Sequence, residues 1–318
     1  TWDESNHEKK LIWHSKSYRG LKKFGLFTYP LLLLQQLKHY QPDIVIAASD
    51  IPHIVWGAWC AKRLKVPFMA DLYDNFEGFG QARIPGMKYL LRQAVCQAQL
   101  VTTTSQPLAE LVIHNYAAQA KVVSLPSTVD LATFRSGNKS NARERFGLLP
   151  NKQYIGTAGG LYKDKGVEVI YQAWEKLKHE MPNVHLVLAG PYQPDYPPPE
   201  EERVHYLGSL AHHEISTLFQ ALDLGIISIL DTPFGRYCFP QKAYEMLACD
   251  LPVVVANIGE MSYLFRDSPQ VLFQTGNAND LASKIQQQLQ SPQQQSIAVE
   301  DWATIIQRLE PMITALKF

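Results

Sequence analysis

The sequence predicts an α/β protein made of two doubly wound parallel sheets in tandem, facing each other across a cleft. Three observations lead there. At 318 residues the chain is long for one hydrophobic core and sufficient for two. Strand-length apolar runs alternate with helical patterns almost throughout, and several are apolar at consecutive positions, as in strands covered on both faces. One polar stretch bearing Gly, Ser and Asn, residues 134–153, breaks the alternation as an interdomain linker with one short helix would. The expected division is a first domain over 1–135, a linker over 136–152 and a second domain over 153–318. A C-terminal helix near 300–318 is a candidate to pack back on the first domain.

In chain order, the first half offers strands at 43–49 (DIVIAAS), 67–73 (PFMADLY), 100–105 (LVTTTS) and 121–126 (KVVSLP). The second half offers 154–159 (YIGTAG), 185–190 (HLVLAG), 204–208 (VHYLG), 224–229 (LGIISI), 252–256 (PVVVA) and 271–274 (VLFQ). Between them, VEVIYQAWEKLKHEM (167–181) and HHEISTLFQAL (212–222) space apolar residues at helical intervals. The proline-dense segment 190–203 reads as a surface loop. Ligands of open α/β sheets sit beyond the carboxyl ends of the strands. The loops after Ser49, Tyr73, Gly159, Gly190 and Ile229 are therefore where a site is expected.

Composition narrows the class. With 46% hydrophobic and 19% charged residues, the chain is neither disordered nor fibrous. Net charge is zero but divided: residues 1–150 hold 18 Lys+Arg against 11 Asp+Glu, net +7, and residues 151–318 hold 12 against 19, net −7. A basic half joined to an acidic half fits two domains with different partners, and scattered solvated charge gives the same totals. The four cysteines form no C-x-x-C pair, which fits free thiols in a reducing, cytoplasmic setting. No signal peptide is evident, and YPLLLL (29–34) is too short to span a bilayer. Nucleic-acid binding has no supporting module.

Two stretches carry chemistry. TAGGLYKDKGVEVI (157–170) reads as strand, Gly-Gly turn, basic loop and helix. Gly159 and Gly160 let backbone N–H groups approach an anion, and Lys163 and Lys165 precede a helix N-terminus that favours negative charge. A phosphate or diphosphate suits it. So does plain surface, since Gly-Gly turns with exposed lysines are common. The order is neither G-x-x-x-x-G-K-[ST] nor G-x-G-x-x-G, which removes support from ATPase and dinucleotide readings. In FPQKAYEMLACDLPVV (239–254), Pro240 opens a helix that places Lys242 and Glu245 at i and i+3. A lysine at a helix start opposes the macrodipole and suggests an anionic ligand. Glu245 suits a vicinal diol such as ribose, while an intrahelical salt bridge explains the pair without any ligand.

The order of these stretches, with VHLVLAGP (184–191), VHYLGSLAHHEISTLFQALDLGIIS (204–228) and LPSTVDLATF (125–134), resembles the retaining, GT-B-fold glycosyltransferase family 4. The resemblance implies two Rossmann-like domains around a central cleft. It also implies that the family's first strand and Gly-rich acceptor loop precede Thr1, so the first domain is expected to be incomplete at its start.

Glu245 matches the second glutamate of the family's E-x7-E pattern, which holds donor ribose hydroxyls, and Lys165 matches the lysine on the donor diphosphate. The arginine that accompanies that lysine is Gly160 here, so Lys163, Lys242 or Arg236 would supply the second charge. The first glutamate falls on Tyr237, and its Gly-Phe-Gly follow-on reads Cys238-Phe239-Pro240. Leu207 to Leu210 match the loop along the nucleobase. A catalytic-site histidine of many members is Tyr73 here, while DLYDNFE resembles a Glu-Val-Arg-Asp-Leu-Trp-like segment of others and would turn Asp74 and Glu77 toward the reaction.

The resemblance thus implies sugar transfer from a UDP- or GDP-linked donor to a glycan or lipid-linked acceptor, as in bacterial surface polysaccharide synthesis. Front-face attack is expected, with a leaving phosphate oxygen taking the acceptor proton and Lys165 balancing its charge. No metal or cofactor is expected; the nucleotide-sugar is a substrate. His212 and His213 read as caps or surface, and His53 as a helix-start residue. RIPGMKYLLRQAV (83–95), with Arg19, Lys22, Lys23 and Phe24, fits a peripheral contact with an anionic membrane, and an ordinary core-packed amphipathic helix fits as well. Two other readings remain open: a degenerate homologue that binds nucleotide-sugar or a partner transferase, favoured by Gly160 and Tyr237, and a GT-B epimerase or phosphorylase.

Overall fold

The computed structural model describes residues 5–6, 11–12, 25–116, 120–293, 295 and 297–316. After the antiparallel pair β1 (Ser5–Asn6) and β2 (Leu11–Ile12), helix α1 (Gly25–Tyr40) leads into a parallel sheet of four strands. These are β3 (Val45–Ala47), β4 (Phe68–Leu72), β5 (Leu100–Thr103) and β6 (Lys121–Ser124), paired in that order. The crossovers are α2 (Ile51–Leu64), α3 (Met87–Cys96) and α4 (Gln106–Asn115). A sheet that grows in one direction through right-handed crossovers places all of them on one face. Strand alternation agrees: Val45, Ala47, Phe68, Ala70, Leu72 and Val101 share a core with Ile51, Leu91 and Leu108. The opposite face carries Met69 and Leu100, and no crossover covers it. Leu309, Met312 and Ile313 from α12 (Trp302–Thr314) do so instead.

The second sheet is doubly wound. Its strands are β7 (Gln153–Ala158), β8 (Val184–Ala189), β9 (Val204–Tyr206), β10 (Leu224–Ile227), β11 (Val253–Ala256) and β12 (Leu272–Phe273). Their order across the sheet is β12-β11-β10-β7-β8-β9, all parallel, so the chain reverses direction between β7 and β10. The inner strands β8, β10 and β11 are buried along their whole length, which is why they read as apolar runs.

Residues 136–152 are not a free linker. Within them α5 (Lys139–Arg145) docks on α7 (His212–Ala221), and Ala142 and Leu148 join the second core beside Phe134. Arg143, 7% exposed, donates to the carbonyls of Ala221 (3.1 Å) and Pro150 (2.9 Å) and to Asp223 Oδ2 (2.6 Å). Polar composition hid this segment because its buried anchor is an arginine satisfied by carbonyls.

Candidate active site

The site grows from the reversal point of the second sheet. β7 ends in Gly159 (φ +109°) and Gly160, and a short 3₁₀ turn, Lys163–Lys165, leads through Gly166 into α6 (Val167–Glu180). Beyond β10, Ser228 Oγ donates to the Gly166 carbonyl at 2.9 Å. A Cβ on Gly166 would stand 2.4 Å from that hydroxyl, so the two strand ends meet only through glycine. Downstream of β10, α8 (Pro233–Tyr237) and the Cys238–Pro240 turn deliver the start of α9 (Gln241–Ala248) to the same point. Together they enclose a cavity of about 470 Å³ whose wall includes Gly159, Gly160, Lys165, Phe239, Lys242 and Glu245.

Its electrostatics are unbalanced. Burial lowers the Lys242 pKa, Glu245 opposes that shift, and the neighbouring Lys165 adds to it. Lys165 holds its ammonium 3.3 Å from the centre of the Phe234 ring. Among the described residues neither lysine has an ion-pair partner. The intrahelical Lys242–Glu245 bridge is therefore not formed. Burial raises the Glu245 pKa, against the pull of His212 and Lys242. Two lysines and a glutamate thus face one cavity with no ion pair between them, an arrangement suited to an anionic, hydroxyl-bearing guest.

From the first sheet, Asp74 projects close enough to Lys165 to feel its charge, although burial raises the Asp74 pKa on balance. Tyr73, exposed at the end of β4, donates its hydroxyl to the Ser49 carbonyl at 2.8 Å. Glu77 does not face the reaction. Arg92 grips it at 2.8 and 3.2 Å and Lys88 lies at 3.9 Å, so it is turned toward α3.

Four donor-side expectations also need correction. The Lys163 ammonium lies over the Tyr196 ring at 5.5 Å, outside the cavity wall. Arg236 is paired with Asp231 on the surface. Leu210 packs on the second core and is not part of the cavity wall. The Tyr237 side chain packs on the first sheet's core, and its carbonyl accepts from Ser105 Oγ at 2.7 Å. It bridges the two sheets and does not line the cavity. Next to it, Glu260 of α10 (Gly259–Leu264) accepts from the backbone N–H of Gln106, the first residue of α4, at 2.7 Å. Sequence reasoning read His212 as a cap or surface residue and gave Phe234 and Cys238 no role of their own, yet all three line the cavity. His212 was hidden because it opens a helix and also stacks edge-on against buried Phe134 at 5.1 Å.

Comparison with known proteins agrees with this geometry. The family model described as Glycosyltransferase Family 4 matches residues 3–133, and that described as Glycosyl transferases group 1 matches residues 152–291. The chain belongs to glycosyltransferase family 4. Its fold is GT-B. Among family relatives, it is 27% identical over 202 residues to D-inositol 3-phosphate glycosyltransferase of Mycobacterium marinum, covering 59% of this chain and 41% of that one. It is 23% identical over 270 residues to alpha-monoglucosyldiacylglycerol synthase of Streptococcus pneumoniae, covering 79% and 58%. The chain thus spans about half the length of the curated relatives it matches. Among solved structures, Anabaena HepE in complex with UDP superposes with a TM-score of 0.76 at 21% identity, over 92% of this chain and 84% of that one. Sucrose-phosphate synthase of Thermosynechococcus elongatus gives 0.70 at 16% identity, over 92% and 79%.

Proposed function

We propose that this chain transfers a glycosyl group, with retention, from a nucleotide-sugar to a hydroxyl of a glycan or lipid-linked acceptor. The observation that carries the reading is the meeting of Lys165 and Lys242 at the Gly159–Gly160 turn, in one cavity with a half-buried Glu245 that has no ion-pair partner among the described residues. A donor diphosphate seated on the glycine turn takes both ammoniums, and Glu245 accepts from the ribose diol. As the sugar–phosphate bond breaks, charge grows on the diphosphate where two preorganised cations already stand. A leaving phosphate oxygen takes the acceptor proton on the same face, and Asp74 stands across the cleft beside Lys165. Lys165 and Glu245 act directly, with Gly159, Gly160, Phe239 and Lys242 shaping the donor seat.

The UDP and UDP-glucose found in the HepE structures support a UDP-linked donor. The glucosyldiacylglycerol in the name of the streptococcal relative supports a lipid-linked acceptor here and a place in surface polysaccharide or glycolipid synthesis. Contact with the inner face of an anionic membrane would run through the start of α3 and the turn before it, where Ile84, Tyr89 and Leu90 are 56%, 65% and 43% exposed beside Arg83 and Lys88. No helix among the described residues is long and apolar enough to cross a membrane. Arg19, Lys22, Lys23 and Phe24, grouped with that surface from the sequence, lie outside the described residues.

Titrating UDP, UDP-glucose and GDP-mannose by calorimetry, then following the anomeric proton of the product by NMR, tests the reading. A protein that binds none of them, or that inverts the anomer, would sink it. One observation favours a second reading: Tyr237 stands where the family's first glutamate would be, and it is committed to the inter-sheet contact. Tight binding without turnover would identify a degenerate, donor-binding homologue.

A further inference from the structure

Lys165 is held by a ring and by no carboxylate. Its ammonium stands 3.3 Å from the centre of Phe234, whereas Lys163, on the same turn, lies 5.5 Å from the ring of Tyr196. No acidic side chain among the described residues forms an ion pair with it. Lysine and ring both line the donor cavity, and each is anchored from its own side. The Lys163–Lys165 turn ends at Gly166, whose carbonyl accepts from the Ser228 hydroxyl at 2.9 Å. Phe234 sits on α8, which Pro233 opens and Thr232 caps by accepting from the Gly235 N–H at 3.1 Å. A Cβ on Gly235 would collide with the Leu230 carbonyl, so α8 is pressed against the loop that precedes it and its ring has a fixed base.

The kind of partner matters. A carboxylate so placed would hold Lys165 but cancel its charge, and a diphosphate would have to displace it. An aromatic face attracts the ammonium through its quadrupole, carries no net charge and leaves the cation's other side open. With no partner at all, a flexible lysine sharing a cavity with Lys242 would swing toward water, since like charges repel. Resting on the transferase reading, we propose that Phe234 is the positioning residue of Lys165: its ring keeps the ammonium at the diphosphate seat while the site is empty and stays beneath it when a nucleoside diphosphate binds. Phe234 acts through the lysine and takes no part in bond making. Three residues on, the Tyr237 carbonyl accepts from Ser105 Oγ of the first sheet's unit at 2.7 Å. The ring's base is thereby tied to the contact between the two sheets.

NMR of the ligand-free full chain reads the hold directly. The Lys165 Hε protons, identified by their loss in Lys165→Met, should lie upfield under the ring current and return to the ordinary lysine position in Phe234→Leu. A double-mutant cycle on UDP affinity, followed by calorimetry, reads its consequence. Phe234→Leu keeps an apolar side chain but removes the π face, and should weaken UDP about tenfold, within the range of a desolvated cation–π contact. Phe234→Tyr should restore binding. In the Lys165→Met background, Phe234→Leu should change affinity by less than about twofold. Phe234 is 38% exposed, so the unfolding midpoint should not move in either variant. Absence of the upfield shift, unchanged or tighter UDP binding in Phe234→Leu, or the same loss with and without Lys165 would each overturn the proposal. If the upfield shift is present but no nucleoside diphosphate binds, the transferase reading falls and the ring–lysine pair stands.

Discussion

Lys242 lies against the α-carbon of Gly159: a Cβ placed there would stand 2.5 Å from its Nζ. The glycine serves two ends, supplying a φ of +109° and clearing room for an ammonium. Gly159→Ala should lower UDP affinity at least tenfold and destabilise the fold by about 1–2 kcal/mol, the cost of left-handed backbone in a residue with a Cβ. Calorimetry and thermal unfolding measure the two effects, and an unaltered affinity would show that this turn does not seat the diphosphate.

Lys165 is the cation across the cleft whose charge acts on Asp74. Lys165→Ala should reduce kcat about 10²-fold, the scale of one lost charge-stabilising group. Glu245→Ala should act mainly on the donor KM. Full activity in both variants would refute the donor-site assignment.

Burial holds the Lys242 pKa below that of the unfolded chain. Between the lowered value and the ordinary one, the unfolded state binds more protons than the folded state. Stability gained from this residue therefore rises with pH through that window below the ordinary lysine value. Urea denaturation of the ligand-free protein should show a steeper rise than in Lys242→Met. A bound diphosphate reverses the preference, so UDP binding should take up protons in the same window. Titrations in buffers of different ionisation enthalpy read that uptake, which should vanish in Lys242→Met.

Glu260 reaches from α10 to the first N–H of α4 in the other sheet's unit. Glu260→Ala leaves that N–H unsatisfied in a buried contact and should cost about 1–3 kcal/mol. Glu260→Gln, which keeps an acceptor oxygen, should cost less. An unfolding midpoint for Glu260→Ala equal to that of the unsubstituted protein would mean that the contact contributes nothing.

Sedimentation with anionic liposomes checks α3. Binding should weaken as salt rises and fall further in Ile84→Ser/Leu90→Ser. Retention of binding in that double variant would place the contact elsewhere.

Much of this was legible in the sequence. All ten expected strands form, because consecutive apolar runs have few alternatives to a doubly covered parallel sheet. Gly159, Gly160, Lys165, Phe239, Lys242 and Glu245 converge because they flank the ends of β7 and β10, the two strands at which the sheet reverses. Failures came where a long side chain chose between neighbours that spacing does not disclose. Glu77 found Arg92, Arg236 found Asp231, and Arg143 found three partners from 7 to 80 residues away.

The helix that covers Met69 and Leu100 has a consequence for biosynthesis. Ribosomes deliver the chain from its N-terminus, so β4 and β5 emerge long before the Leu309 that shields one of their faces. The six-stranded sheet has all its strands available before that cover arrives. Order of synthesis and order of completion are thus opposed, and the first-made sheet is the last to be finished. A nascent chain stalled short of α12 would present that apolar face to chaperones, and release of α12 would be the event that withdraws it.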